Sequence, residues 1–153
     1  MEVFPHRYCV KGSGRATGDV ELTAAGLAPL WSESPAEFDG PGDLWSPETL
    51  LVGAVADCFV LTFRAIAHAS KLHWASLDCE VTGTLDHVER AVLFTRFDIR
   101  ARLELLDEAD AERARHALEK SERHCLITRS LRASIGLDLQ IDVAQPAALD
   151  ATA

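Results

Sequence analysis

The residues of this sequence best suited to chemistry are its cysteines, Cys9, Cys58, Cys79 and Cys125, and the charged side chains able to activate a thiol. A cysteine attacks as its thiolate, so a reactive one needs a cation or a helix N-terminus beside it. Cys58 lies in the apolar run Leu50 to Leu61, about three turns into a helix and too deep for the terminal dipole to help. Its activation therefore falls to a side chain brought in by the fold. Arg15, in a turn between Gly14 and Gly18, is the candidate, because a planar guanidinium can hold a thiolate and a substrate oxygen while a carboxylate fixes its other edge. Glu48 is the candidate carboxylate. At about 100° per residue, it and Cys58 point about 80° apart on one helix, so they can border one cleft with room for an arginine between them. Asp57 is rotated about 100° from Cys58 and opposes thiolate formation only if it shares that cleft.

Each of these residues also has a plain structural use. A free cysteine in a core helix is commonly a small hydrophobe, an arginine in a turn is commonly solvated, and an acid in a first helical turn complements the dipole. Cys9 and Cys79 fall in strand-like segments and read as packing residues, while Trp31, Trp45 and Trp74 read as core or interface anchors. The cysteines make no C-x-x-C and no zinc-finger spacing, so neither a metal nor a cofactor is expected; only the His124-Cys125 pair offers a fragment of a metal site.

Composition narrows the function classes. At 153 residues the chain has room for one domain, residues 1–153, and with 48% hydrophobic and 25% charged residues it can build a core. Its net charge of -9 repels phosphate backbones and anionic lipid, which argues against nucleic-acid and membrane partners. The first residues, Met1 to Arg7, hold no apolar stretch after a basic start, and no run of about 18 uncharged apolar residues appears. A cytoplasmic protein is expected, in a reducing compartment where any cysteine pair is redox-active or incidental rather than a structural disulfide.

The elements that must position these residues follow from periodicity. A hairpin is expected over about 1–31 with Arg15 at its tip, then a loop over about 32–45. Ser46-Pro47-Glu48 provides an N-cap hydroxyl, a proline at the first helical position and an early acid, so a central helix runs over about 46–71. Its apolar character nearly all round predicts burial on most faces. Period-two alternation predicts two strands within about 75–105, with Leu77, Cys79, Val81, Gly83 and Leu85 sharing one face. A second helical region is expected over about 108–134, a C-terminal strand over about 136–144, and a frayed tail from Ala147. Strands at both ends with helices between them make an α+β fold.

Taken in order, Gly14-Arg15-Ala16-Thr17-Gly18, Ser46-Pro47-Glu48, Asp57-Cys58-Phe59 and His124-Cys125-Leu126-Ile127, with the two cysteines 67 positions apart, resemble the OsmC/Ohr family. The resemblance spans nearly the whole chain. It implies an OsmC-like fold, with antiparallel sheets packed around a long central helix in an intertwined homodimer whose two active sites lie between protomers. The implied activity is thiol-dependent reduction of organic hydroperoxides. Cys58 would be the nucleophile that becomes a sulfenic acid, Cys125 the thiol that closes a disulfide with it, and Arg15 with Glu48 the ion pair that activates it. A dithiol reductant, such as a dihydrolipoyl protein, would recycle the enzyme. Two positions depart from the family pattern: Leu126 stands where proline is usual, and Asp57 precedes the nucleophile where a small residue is usual. They motivate an alternative, a non-catalytic module of the same fold that holds an apolar ligand.

Overall fold

The computed structural model describes residues 3–144; the tail from Ala147 lies outside them. The chain divides into two compact units, Met1–Leu51 and Val52–Ala153.

The first unit is built on a small antiparallel sheet, β1 (Lys11–Ser13), β2 (Val20–Thr23) and β3 (Leu30–Ser32), in that order. Gly18 turns the chain between β1 and β2 at φ +88°, a conformation that side chains with a Cβ rarely adopt. Trp45 bridges back to Ser32, and the Glu33 N–H donates to the Trp45 carbonyl at 2.9 Å, which pins the segment leading into the long helix.

That helix, α1 (Pro47–Ala69), begins with a reciprocal cap. The Ser46 hydroxyl accepts from the Thr49 N–H at 3.2 Å, and the Thr49 hydroxyl accepts from the Ser46 N–H at 2.8 Å, so two otherwise orphaned donors are satisfied. Only one stripe of α1 is fully buried: Val55, Phe59, Phe63 and Ala67, four residues apart. Burial on most faces is therefore not what the single chain achieves. On the opposite face Leu61 is half exposed. By length and composition alone α1 could cross a membrane, but Asp57 and Arg64 interrupt it, and its buried stripe is that of a core helix.

The second unit carries β4 (Trp74–Val88), β5 (Ala91–Leu105) and β6 (Ser134–Val143), with β5 in the middle. β4 and β5 form a long antiparallel hairpin, whereas β6 runs parallel to β5, so this sheet is mixed rather than wholly antiparallel. The cause is the connection: a helical crossover between β5 and β6 returns the chain to the starting end of the sheet. Phe97, Ile99, Ala101, Leu103 and Leu105 of β5 are buried on one face. A register shift opposite Thr84 and Leu85 lets Phe94 and Phe97 both turn inward, their rings stacked at 5.0 Å. α1 lies on that face. Phe63 meets Trp74 edge-on at 5.3 Å, and Gly83 leaves the space that Val52 and Phe94 fill, since a Cβ there would stand 2.7 Å from Val52.

The crossover carries two α-helices. α2 (Ala111–His124) buries Ala114, Ala117, Leu118 and Ser121 as a stripe; the chain then extends at Cys125 (φ -61°, ψ 116°) before the short α3 (Leu126–Ser130).

Candidate functional site

Cys58 sits half-buried in the middle of α1, next to the stripe that packs into the core. Its neighbour one turn on is Thr62, whose hydroxyl oxygen is 4.0 Å from the sulfur, within reach of a weak thiol hydrogen bond. Asp57 is exposed.

Cys125 occupies the break between α2 and α3 and is fully buried. Its backbone is held on both sides: its N–H donates to the Glu122 carbonyl at 3.3 Å, and its carbonyl accepts from the Arg129 N–H and from the Thr128 hydroxyl, each at 3.2 Å. The Cys58 thiol lies close enough to the Cys125 thiol to act on its ionisation. Burial foremost, and then Cys58, hold the Cys125 pKa above the ordinary thiol value, while the Thr128 N–H and hydroxyl partly offset them. Cys125 is thus kept as the protonated thiol. Two sulfurs 67 positions apart in sequence meet inside the second unit, and neither is in a disulfide.

A third sulfur lies near Cys125. Cys79 faces inward from β4, and burial, then the neighbouring Cys125, push its pKa up to about 11. Strand alternation gives the face of Cys79 but not its company. Cys9, expected as a packing residue, is instead exposed and outside any strand, because β1 begins only at Lys11. Trp31 and Trp45 are likewise about half exposed rather than core anchors in the single chain, while Trp74 packs on Phe63.

The charged residues fall in the first unit. Arg15 is exposed in the β1–β2 connection, as the glycines around it suggest. Glu48 is in the first turn of α1, and its Oε2 is buried with no hydrogen-bond partner among the described residues. Among those residues no ion pair joins Arg15 to Glu48. An unpartnered buried carboxylate oxygen is costly, and a guanidinium is the donor best shaped to satisfy it. No group of three or more His, Cys, Asp or Glu side chains able to hold a metal ion occurs among the described residues.

Comparison with known proteins agrees with this arrangement of elements. Residues 40–140 match the family model described as OsmC-like protein. An uncharacterized protein of Bacillus subtilis, YmaD, is 29% identical over 112 residues, which is 71% of this chain and 75% of that one. Among solved structures, an OsmC-like protein of unknown function from Vibrio cholerae superposes with a TM-score of 0.81 at 12% identity, covering 88% of this chain and 99% of the other. An organic hydroperoxide resistance protein from Legionella pneumophila gives a TM-score of 0.70 at 24% identity, covering 90% and 98%. At these identities the structural likeness speaks for the fold.

Proposed function

The chain belongs to the OsmC-like protein family, and from that membership we propose that it is a cysteine-based peroxidase reducing organic hydroperoxides to alcohols. The observation that carries this reading is the meeting of Cys58 and Cys125, one half-buried and the other held protonated behind it.

In this reading the Cys58 thiolate attacks the terminal oxygen of the peroxide. The O–O bond breaks, its electron pair leaves on the alkoxide, which takes up a proton to become the alcohol, and Cys58 becomes a sulfenic acid. The Cys125 sulfur then attacks Cys58, closing the disulfide and expelling hydroxide, which leaves as water with the proton of the Cys125 thiol. Arg15 and Glu48 act as an ion pair, the guanidinium favouring the thiolate and polarising the peroxide. The orphaned Glu48 oxygen supports that role. Homodimerisation, with each site between two protomers, supplies what the single chain lacks; the uncovered face of α1 supports it. A dithiol reductant reopens the disulfide, and a cytoplasmic setting fits four free cysteines.

The test is stoichiometric. One equivalent of cumene hydroperoxide added to the reduced protein should consume two thiols per chain, with peptide mapping recovering a Cys58–Cys125 disulfide. Cys58→Ser should abolish peroxide consumption, and Cys125→Ser should halt at a sulfenic acid that dimedone traps. Full turnover by Cys58→Ser sinks the assignment. A co-purified apolar ligand without any peroxide-dependent disulfide would establish the binding module instead.

A further inference from the structure

Cys79 is the one thiol of the second unit that the proposed reaction leaves unused. The packing of α1 on the sheet brings it level with the other two. Two contacts fix how α1 lies along β4: Val52 fills the space over Gly83, and Phe63 meets the Trp74 ring at 5.3 Å. Helix and strand therefore run in opposite directions, with 11 helical positions (63 - 52) laid over 9 strand positions (83 - 74). Cys58 lies about halfway along that stretch of α1, and the same fraction of the strand stretch falls at about residue 78, beside Cys79.

Strand alternation puts Cys79 on the same face as Gly83, the face that α1 covers. Its partner on β5 is Ala101. The two form the smallest pair on the inward face of the hairpin, set between Val81 with Ile99 on one side and Leu77 with Leu103 on the other. A small pair among large ones leaves room above it in a close-packed core. Cys125, fully buried at the α2–α3 break, is the neighbour whose charge acts on the Cys79 thiol. Cys125 is thus approached by Cys58 from α1 and by Cys79 from β4.

We propose that Cys79 is a second resolving thiol, which takes Cys125 over from Cys58 by disulfide exchange and leaves the oxidised protein as a Cys79–Cys125 disulfide with Cys58 free to meet a second peroxide. The Cys79 thiolate attacks the Cys125 sulfur, the Cys58–Cys125 bond breaks, and its electron pair leaves on Cys58, which takes up the proton that Cys79 gave up. Nothing is oxidised or reduced overall. The exchange during turnover rests on the peroxidase reading; the ability of Cys79 and Cys125 to bridge does not. A thiol that holds its proton tightly is a poor leaving group, so a disulfide between the two thiols whose pKa values burial raises resists reopening. With the Cys79 pKa at about 11, only about 0.01% of it is thiolate at pH 7, and exchange should quicken about tenfold for each pH unit above that.

The experiment uses the full chain and maps disulfides after acid quenching and alkylation. Cys58→Ser treated with the thiol oxidant diamide should form a Cys79–Cys125 disulfide. The wild type, given one equivalent of cumene hydroperoxide, should first show Cys58–Cys125 and then convert to Cys79–Cys125, about tenfold faster at pH 9 than at pH 8. A second equivalent should then label Cys58 with dimedone at several times the yield seen in Cys79→Ala, where Cys58 stays bound to Cys125. Failure of diamide to bridge Cys79 and Cys125 in Cys58→Ser, under conditions that oxidise Cys58 and Cys125 in the wild type, overturns the proposal. Equal dimedone labelling in the wild type and Cys79→Ala does so too. A diamide-made Cys79–Cys125 bridge, with no disulfide of any kind from cumene hydroperoxide, would sink the peroxidase reading and leave the bridge standing.

Discussion

The two sulfurs and the two charges proposed to share one reaction are treated very differently by this single chain. Cys58 and Cys125 are brought together by the packing of one unit, in a protein whose α1 stripe, β5 face and α2 stripe are all fully buried. Arg15 and Glu48 are not paired: one is exposed in a turn, the other has a buried oxygen without a partner. The difference teaches that the nearness of the two thiols is a property of the core, whereas the proposed activating pair is not formed among the described residues. In the proposed dimer a second copy completes that pair.

The largest effect should come from breaking the charged half. Arg15→Ala should slow peroxide-driven oxidation of Cys58 by about a hundredfold or more, the scale for removing one preorganised donor to developing charge, in stopped-flow measurements, with the disulfide connectivity unchanged. Mixing Arg15→Ala chains with Cys58→Ser chains should restore activity that neither has alone, if the guanidinium acts across protomers. No recovery would place all four residues in one chain and end the contrast.

The sulfur half should break through the core instead. Phe59, next to Cys58 and fully buried, should cost about 3–5 kcal/mol when changed to alanine, read by denaturant unfolding, and should slow disulfide closure more than the initial attack. By contrast, the outer face of the β4–β5–β6 sheet carries exposed pairs such as Arg100 with Glu80 at 3.1 Å. Arg100→Ala should cost under about 1 kcal/mol and leave the thiols untouched.

The smallest effect is on pH dependence. Cys79 has its pKa raised from 9.0 to about 11, so the folded state holds its proton where the unfolded chain has lost it. Stability should therefore be unaffected below about pH 9 and fall between about pH 9 and 11. Cys79→Ala should flatten that alkaline slope in a pH series of unfolding curves. An identical slope would show that the third sulfur is not buried beside Cys125 as described.

Local chemistry was enough for some of this to be read from residues alone. Ser46-Pro47 starts α1 because a hydroxyl cap and a proline need nothing beyond their own neighbours, and the alternation from Leu77 to Leu85 fixes which side chains of β4 face inward. The four motifs were sufficient to indicate the family. Nothing local marks the extended backbone at Cys125, which has no glycine or proline beside it, nor the parallel pairing of β6, nor the approach of Cys58 from α1 and Cys79 from β4 to Cys125 at the α2–α3 break.

The sequence by itself thus determined helix starts, strand faces and the identity of the thiol and charge candidates, since each is set within a few residues by capping, alternation and side-chain type. Only the tertiary structure decided that Cys58 comes close to Cys125, and that Cys79 of β4 lies near Cys125 as well. Those juxtapositions come from two helices packing antiparallel on one sheet, and contacts between distant segments have no periodicity along the chain to announce them.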